Sequence, residues 1–314
     1  MVDAIAHLTV GVADLAPVRE LWIDRFGLEV AATRGGADEG LAKLWGVSPD
    51  RIADQLLLRT PGAETGWLHF VQFSQPDAPV RAGAEPTDLC PKSIDVNCKD
   101  MPAVYAELAA AGCKFRSTIS EYEVDGIRAR EVQMPAHDET NIVLIEILSG
   151  GFEMKYSPAG YAALTSFVVI VPSTKIEASF YADLFDLDEL MHHRITGPGI
   201  EEAVGLPSGT ALDMRLMGRE GNFFGRVELI EYEGLEGKDR FPMAKPPALG
   251  TLHCTFTVNS LDRFVERAAK MGIEMVCHEN IETIFCAGTV YSVYSPAGLR
   301  IEVFQRSQDF FVVG

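Results

Sequence analysis

Four stretches of the chain share one alternation of apolar and polar positions. In residues 4–12, Leu8, Val10 and Val12 fall on one side, and His7, Thr9 and Gly11 on the other. A period of two predicts a β-strand with one buried face. The pattern returns in residues 93–100, 166–173 and 253–260, opening on Ser93, Ser166 and His253. Seven residues after each opening position stands Asp14, Asp100, Ser173 or Ser260, side chains that cap helix N-termini. The helices that follow are predicted to end at turns marked by Gly27, Gly112, Asp186 and Gly272.

The halves repeat as well. His7 and Ser166 are 159 residues apart, as are Gly27 and Asp186, and Ser93 and His253 are 160 apart. Self-similarity at a fixed period identifies the unit of the fold before any single motif does. The chain reads as four βαβββ modules of the α+β class in an A-B-A-B order. Module one covers residues 1–74, with an insertion at 35–54 that holds a short helix at 41–45. A Pro-rich linker, 75–91, leads to module two, 92–148, whose last two strands are expected at 125–134 and 142–148. The Gly-, Pro- and Ser-rich stretch 150–163 is the expected boundary between two domains, 1–150 and 151–314. Module three, 164–233, repeats the insertion at 197–209, and a second Pro-rich linker, 241–250, leads to module four, 250–305. Residues 307–314 are a tail.

Four βαβββ modules in this order resemble the vicinal oxygen chelate superfamily, which includes glyoxalase I, bleomycin-resistance proteins, methylmalonyl-CoA epimerase and type I extradiol dioxygenases. The resemblance implies two tandem domains. In each, two modules curl one mixed sheet around a cleft, and a divalent metal is held by residues on their first and fourth strands.

The opening positions His7, Ser93, Ser166 and His253 lie opposite the apolar face and so are expected to look into the clefts. On the fourth strands, Glu146 stands between Ile145 and Ile147, and Glu302 between Ile301 and Val303. A carboxylate in mid-strand is costly to bury under a helix, so both are expected on the cleft side. In modules one and three, residues 67–72 align with 226–231, and either His69 and Glu228 or Gln72 and Glu231 can face the cleft. The second choice buries His69 and Glu228 in mid-strand, so His69 and Glu228 are expected there.

Pairing successive modules gives an N-terminal cleft with His7, His69, Glu146 and Ser93, and a C-terminal cleft with Glu228, His253, Glu302 and Ser166. The metal candidates are therefore His7, His69, Glu146, Glu228, His253 and Glu302. Two imidazoles with a carboxylate suit iron, manganese or zinc and leave positions open for substrate. Glu146 and Glu228 are the candidate bases.

The resemblance implies a metal-dependent enzyme acting on a small oxygenated, aromatic molecule in the manner of an extradiol dioxygenase. Those enzymes use a His from each first strand of one half and a Glu from the last strand. Here His253 and Glu302 match, while the third position is Ser166, and Ser292 stands where the family has a tyrosine. A glyoxalase- or epimerase-like isomerase or lyase, working through a metal-stabilised enediolate, is the alternative. A metal-free binding protein of the bleomycin-resistance kind is the third. Of the remaining histidines, at most one of His192 and His193 can face a cleft, and His137 and His278 read as surface or turn residues. Tyr232, Tyr291 and Tyr294 read as packing residues.

Composition narrows the partners. The formal charge of −18 argues against nucleic acid and anionic membrane surfaces, which select basic proteins. No apolar run reaches the ~18 residues of a membrane span, and residues 1–30 lack the order of a signal peptide. The six cysteines show no CxxC spacing and read as reduced core thiols of a cytoplasmic protein. A small-molecule substrate is expected, and pairing into a homodimer is in keeping with four-module relatives.

Overall fold

The computed structural model describes residues 4–124, 126–149 and 153–305. Asp125, where a strand was expected to start, Gly150 at the expected boundary, and the tail 307–314 lie outside the described residues.

Module one contains β1 (Ile5–Val12), α1 (Leu15–Val18) continued by a π-helical turn (Arg19–Arg25), β2 (Glu29–Gly35), α2 (Glu39–Trp45), β3 (Ile52–Arg59) and β4 (Trp67–Phe73). The short β5 (Asp77–Pro79) lies in the first linker. Module two follows with β6 (Cys90–Cys98), α3 (Met101–Ala110), β7 (Ser120–Val124), β8 (Ile127–Pro135) and β9 (Asn141–Ile147). Module three has β10 (Tyr161–Ile170), α4 (Thr174–Phe185), β11 (Asp188–Thr196), α5 (Pro198–Val204), β12 (Ala211–Gly218) and β13 (Arg226–Tyr232). Module four has β14 (Ala248–Val258), α6 (Leu261–Lys270), β15 (Val276–Glu282), β16 (Ala287–Tyr294) and β17 (Arg300–Gln305).

The repeated polar residues start every module's helix. The Asp14, Asp100, Ser173 and Ser260 side chains accept from the backbone N–H groups of Ala16, Ala103, Ile176 and Arg263. Each satisfies a donor that the helix itself leaves open. The helices stop where the chain enters the left-handed region, at Gly27, Gly112, Asp186 and Gly272. Glycine takes that conformation without strain, and aspartate is among the few other residues that tolerate it.

The strands form two mixed, curled sheets. Sheet one runs β15-β16-β17-β14-β1-β4-β3-β2, with β5 added alongside β14, and sheet two runs β11-β12-β13-β10-β6-β9-β8-β7. In sheet one β1 pairs antiparallel with β14, setting Leu8 opposite Cys254 and Thr9 opposite His253. In sheet two β6 pairs antiparallel with β10, setting Ile94 opposite Phe167 and Asp95 opposite Ser166.

This pairing corrects the expected clefts. Modules one and four build one sheet and modules two and three the other, so both sheets cross the halves of the chain. The linkers carry the crossing. Asp77 N donates to Pro247 O (3.0 Å) and Val80 N to Leu249 O (3.0 Å), which ties the first linker to the entry of β14. Leu89 N donates to Lys238 O (2.9 Å) and Arg240 N returns to Leu89 O (2.9 Å). The buried Arg240 guanidinium closes the crossing on Asp88 at 2.6 Å. The largest apolar cluster joins the helix-covered faces of both sheets through Leu8, Ile94, Phe167, Cys254, Leu108 and Phe264. The opposite face of each sheet lines a cleft.

Candidate functional site

The cleft of sheet one gathers four of the six candidates. His7 on β1, His69 on β4, His253 on β14 and Glu302 on β17 are all buried. The parallel pairs β1–β4 and β14–β17 align Thr9 with His69 and Thr255 with Glu302. His7 and His69 meet edge to face, with ring centroids 5.6 Å apart. His253 Nε2 lies 3.5 Å from Glu302 Oε1.

Supporting groups, none of them singled out in the sequence, orient these side chains. Gln55 Nε2 donates to Asp38 Oδ2 (2.8 Å), which turns its oxygen toward His69 Nε2 at 3.1 Å. His69 therefore carries its proton on Nε2 and leaves Nδ1 with a lone pair. Trp45 Nε1 and Arg300 Nε both donate to Glu302 Oε1, at 2.9 and 3.2 Å. Burial and then the neighbouring His253 push the His69 imidazole down to about 3. Burial, followed by His69, lowers His7 as well. Burial alone would raise the Glu302 carboxyl, but His253 and Arg300 outweigh it and hold the group below the usual carboxylate range. Two imidazoles are thus neutral beside an ionised carboxylate.

Whether these residues suit a metal is answered by their open atoms. His7 Nε2, His69 Nδ1, both ring nitrogens of His253 and Glu302 Oε2 are buried without a hydrogen-bond partner. Buried polar atoms are rarely left so, and imidazole nitrogens with a carboxylate oxygen are a divalent-metal donor set. The donor set fits. Among the described residues, however, no three His, Cys, Asp or Glu side chains already stand in an ion-gripping arrangement. The Phe285 ring takes up the space between the imidazoles, 4.2 Å from His7 and 5.1 Å from His69 between centroids. Trp45 closes the other side, 5.6 Å from His253.

Closure comes from the insertion of module one. Helix α2 follows β2 at one edge of the sheet yet docks on β15 at the other edge. A Cβ on Gly40 would stand 1.8 Å from Glu282 O, so only glycine permits this approach. Lys43 Nζ donates to Glu279 O (2.7 Å), and Arg300 Nη2 donates to Leu44 O (2.9 Å).

Glu146 is absent from both clefts, against expectation. Its Oε1 accepts from Asp100 N (3.0 Å) and its Oε2 from Met101 N (3.1 Å), at the start of α3. The equivalents in the other modules do the same: Gln72 takes Leu15 N, Glu231 takes Thr174 N and Gln305 takes Leu261 N. The N-terminus of a helix favours a carboxylate electrostatically, which is why a mid-strand Glu is tolerated on the helix side. The repeat held the signal, since 159 residues beyond Glu146 lies Gln305, and Glu302 corresponds to Val143. His137 lies in a turn (His137–Glu139), as one of the two expected settings has it, but it is not at the surface. Its buried ring accepts from Trp22 Nε1 at 3.1 Å, and burial lowers it to about 4.

Sheet two encloses a different cleft, a cavity of about 490 Å³. Ser166, Glu228, Ser93 and Val143 line it at the positions that carry His7, His69, His253 and Glu302, in that order, in sheet one. Glu228 therefore does not stand beside His253 and Glu302 as expected. Its neighbours are Asp95, Glu131 and Arg226, which the sequence reading missed although Asp95 lies two residues beyond Ser93 on the same face. Burial, followed by the neighbouring carboxylates Glu228 and Glu131 for Asp95 and Glu131 for Glu228, raises both above the usual carboxylate range. His193 faces this cavity, as does Tyr232, while His192 turns away to Asp213 at 2.9 Å.

No protein-family model matches the chain, and no curated protein matches it in sequence. Among solved structures, glyoxalase I from Zea mays is similar at TM-score 0.66 and 12% identity, over 96% of this chain and 92% of that one. A candidate dioxygenase from Bacillus subtilis subsp. subtilis str. 168 is similar at TM-score 0.59 and 11% identity, over 97% and 85%. The cppA protein of Streptococcus pneumoniae TIGR4 is similar at TM-score 0.50 and 10% identity, over 98% and 100%. These likenesses are of fold. The chain shares the four-module fold of these proteins.

Proposed function

We propose that the chain is a divalent-metal-dependent enzyme whose working centre is the cleft of sheet one, acting on a small oxygenated molecule. One observation carries the reading. The histidine that Ser166 cannot supply is supplied by His7, because module one and not module three is the partner of module four. Buried first-strand histidines His7 and His253 then join Glu302, with His69 as a fourth donor.

When bound, the metal would act as a Lewis acid toward adjacent oxygens of the substrate. His7, His69, His253 and Glu302 would hold it. The Gln55–Asp38 relay fixes the His69 ring and keeps its lone pair on Nδ1, the atom that would ligate the metal. Trp45 and Phe285 keep water out, and substrate entry requires α2 to move from β15. An oxygen-dependent ring cleavage is the first reaction this ligand set suggests. Isomerase or lyase chemistry, with the metal as Lewis acid, is the second.

Elemental mass spectrometry of protein purified anaerobically without an affinity tag tests the reading. About one ion per chain is expected, lost in both His7→Ala and His253→Ala because the two share a cleft. Iron would select the oxygenase branch, and zinc or manganese the isomerase branch. A chain that takes up no metal on reconstitution ends the proposal.

A further inference from the structure

The geometry points to a second, separate site: the cleft of sheet two binds a small organic cation, a lipophilic amine, with no metal. Its volume of about 490 Å³ lies within the roughly 300–1,000 Å³ of pockets that enclose a small ligand. The corresponding insertion of module three does not seal this cleft: α5 packs beside β11 and contributes Ile200 and Val204 to the lining.

The floor is polar and its charges do not balance. Asp95, Glu131 and Glu228 line it together with Lys92 and Arg226, and β7 adds Glu123 and Glu121, the latter bound to Arg128 and Arg130, so carboxyl groups outnumber cations. Both cations are engaged: Lys92 Nζ donates to Tyr232 OH at 2.5 Å and Arg226 Nε to Thr165 O at 3.1 Å. Tyr122 OH donates to Glu131 at 3.3 Å. With Asp95, Glu131 and Glu228 around one floor, full ionisation leaves at least one negative charge unmatched, which a proton on one of these carboxyls offsets. An ammonium group in the cavity replaces that proton and completes the balance.

Ser93 supplies an independent sign of a ligand. Its side chain is 1% exposed and lines the cavity, and its Oγ is buried with no hydrogen-bond partner. A hydroxyl beside the floor carboxyls is a ready acceptor for an N–H. The walls above are Ile127, Ile145, Met191, Met214 and Ile230, an apolar and deformable lining for the body of an amine. The net charge of −18 draws cations toward the mouth.

The test uses the full chain and three probes of one shape, naphthylmethylamine, naphthylmethanol and naphthoic acid, followed by fluorescence titration. The amine should bind at least about tenfold more tightly than the alcohol, and Glu228→Gln should remove most of that difference. Calorimetry in two buffers of different ionisation heat should show a proton released as the amine binds. Ile145→Trp, on the half-buried wall, should abolish binding of every probe whether or not Glu228→Gln folds. His7→Ala should leave amine binding unchanged, which separates this site from the metal reading of the other cleft. Equal affinity for amine and alcohol, amine binding that survives Ile145→Trp, or no amine binding overturns the proposal.

Discussion

The indole Nε1 of Trp45 donates to Glu302 Oε1 at 2.9 Å, joining the insertion of the first module to the last strand of the fourth. The bond couples cleft closure to the same carboxylate whose second oxygen remains open. Its two residues are 257 apart in sequence, so it forms only once β1 and β14 have paired.

Loosening this closure should be measurable. Gly40→Ala places a methyl group against Glu282 O and should lift α2 from β15. We expect a loss on the order of 1–3 kcal/mol in denaturant unfolding. Faster hydrogen exchange confined to residues 39–45 and 276–282 should accompany it. Unchanged exchange in both segments would show that α2 does not depend on this contact.

Glu146→Ala distinguishes a helix cap from a metal ligand. Loss of the acceptor for Asp100 and Met101 should cost about 1 kcal/mol of stability, as cap deletions do. Metal content and probe binding should match the unaltered chain. A change in metal content would return Glu146 to the ligand set.

Glu177 on α4 carries a pH dependence. It is buried, accepts from Ser295 Oγ at 3.2 Å and from Ala297 N, and burial raises its carboxyl to about 7. A carboxyl raised above its unfolded value holds its proton longer in the folded state. Folding stability from this group is therefore level below about 4.5, falls as pH rises toward 7, and is level again above. Glu177→Gln keeps an acceptor but cannot ionise. The stability difference between variant and parent should grow between pH 4.5 and 7 by on the order of 1–3 kcal/mol in favour of the variant. Taking the difference cancels the opposite contribution of His137, which is lowered by burial. A difference that does not vary with pH would contradict the assignment.

The Asp88–Arg240 pair should be the weak point of the crossed linkers. Arg240 also donates to the carbonyls of Val80, Ala82 and Gly83. Arg240→Ala strands a buried carboxylate and several acceptors, so we expect a loss of roughly 3–5 kcal/mol in chemical denaturation. A loss below about 1 kcal/mol would place the pair among surface ion pairs.

The modules were legible because their determinants are local. Alternating apolar residues, the caps Asp14, Asp100, Ser173 and Ser260, and the turn residues Gly27 and Asp186 act within a few positions of themselves. Orientation on the strands was legible where burial energy decided it, as for His69 against Gln72. It failed for Glu146 because the cost of burying a carboxylate was weighed without the open N–H groups of α3, which belong to another element. Asp95, Glu131 and Arg226 went unnoticed because each resembles a solvated charge until the sheet brings them to one floor.

Which modules pair was beyond the sequence pattern. All four first strands carry nearly the same alternation, so β1 could align with β6 or β14 at similar local cost. Contacts between residues far apart in sequence decide the matter: the hydrogen bonds of the linkers, the Asp88–Arg240 pair, and the docking of α2 through Gly40. The chain alone thus determined four modules, their caps and the polar residues that look away from the helices. The tertiary structure alone decided that His7 meets His253 and Glu302, and that Glu228 meets Asp95, because module pairing is a long-range choice among locally equivalent strands.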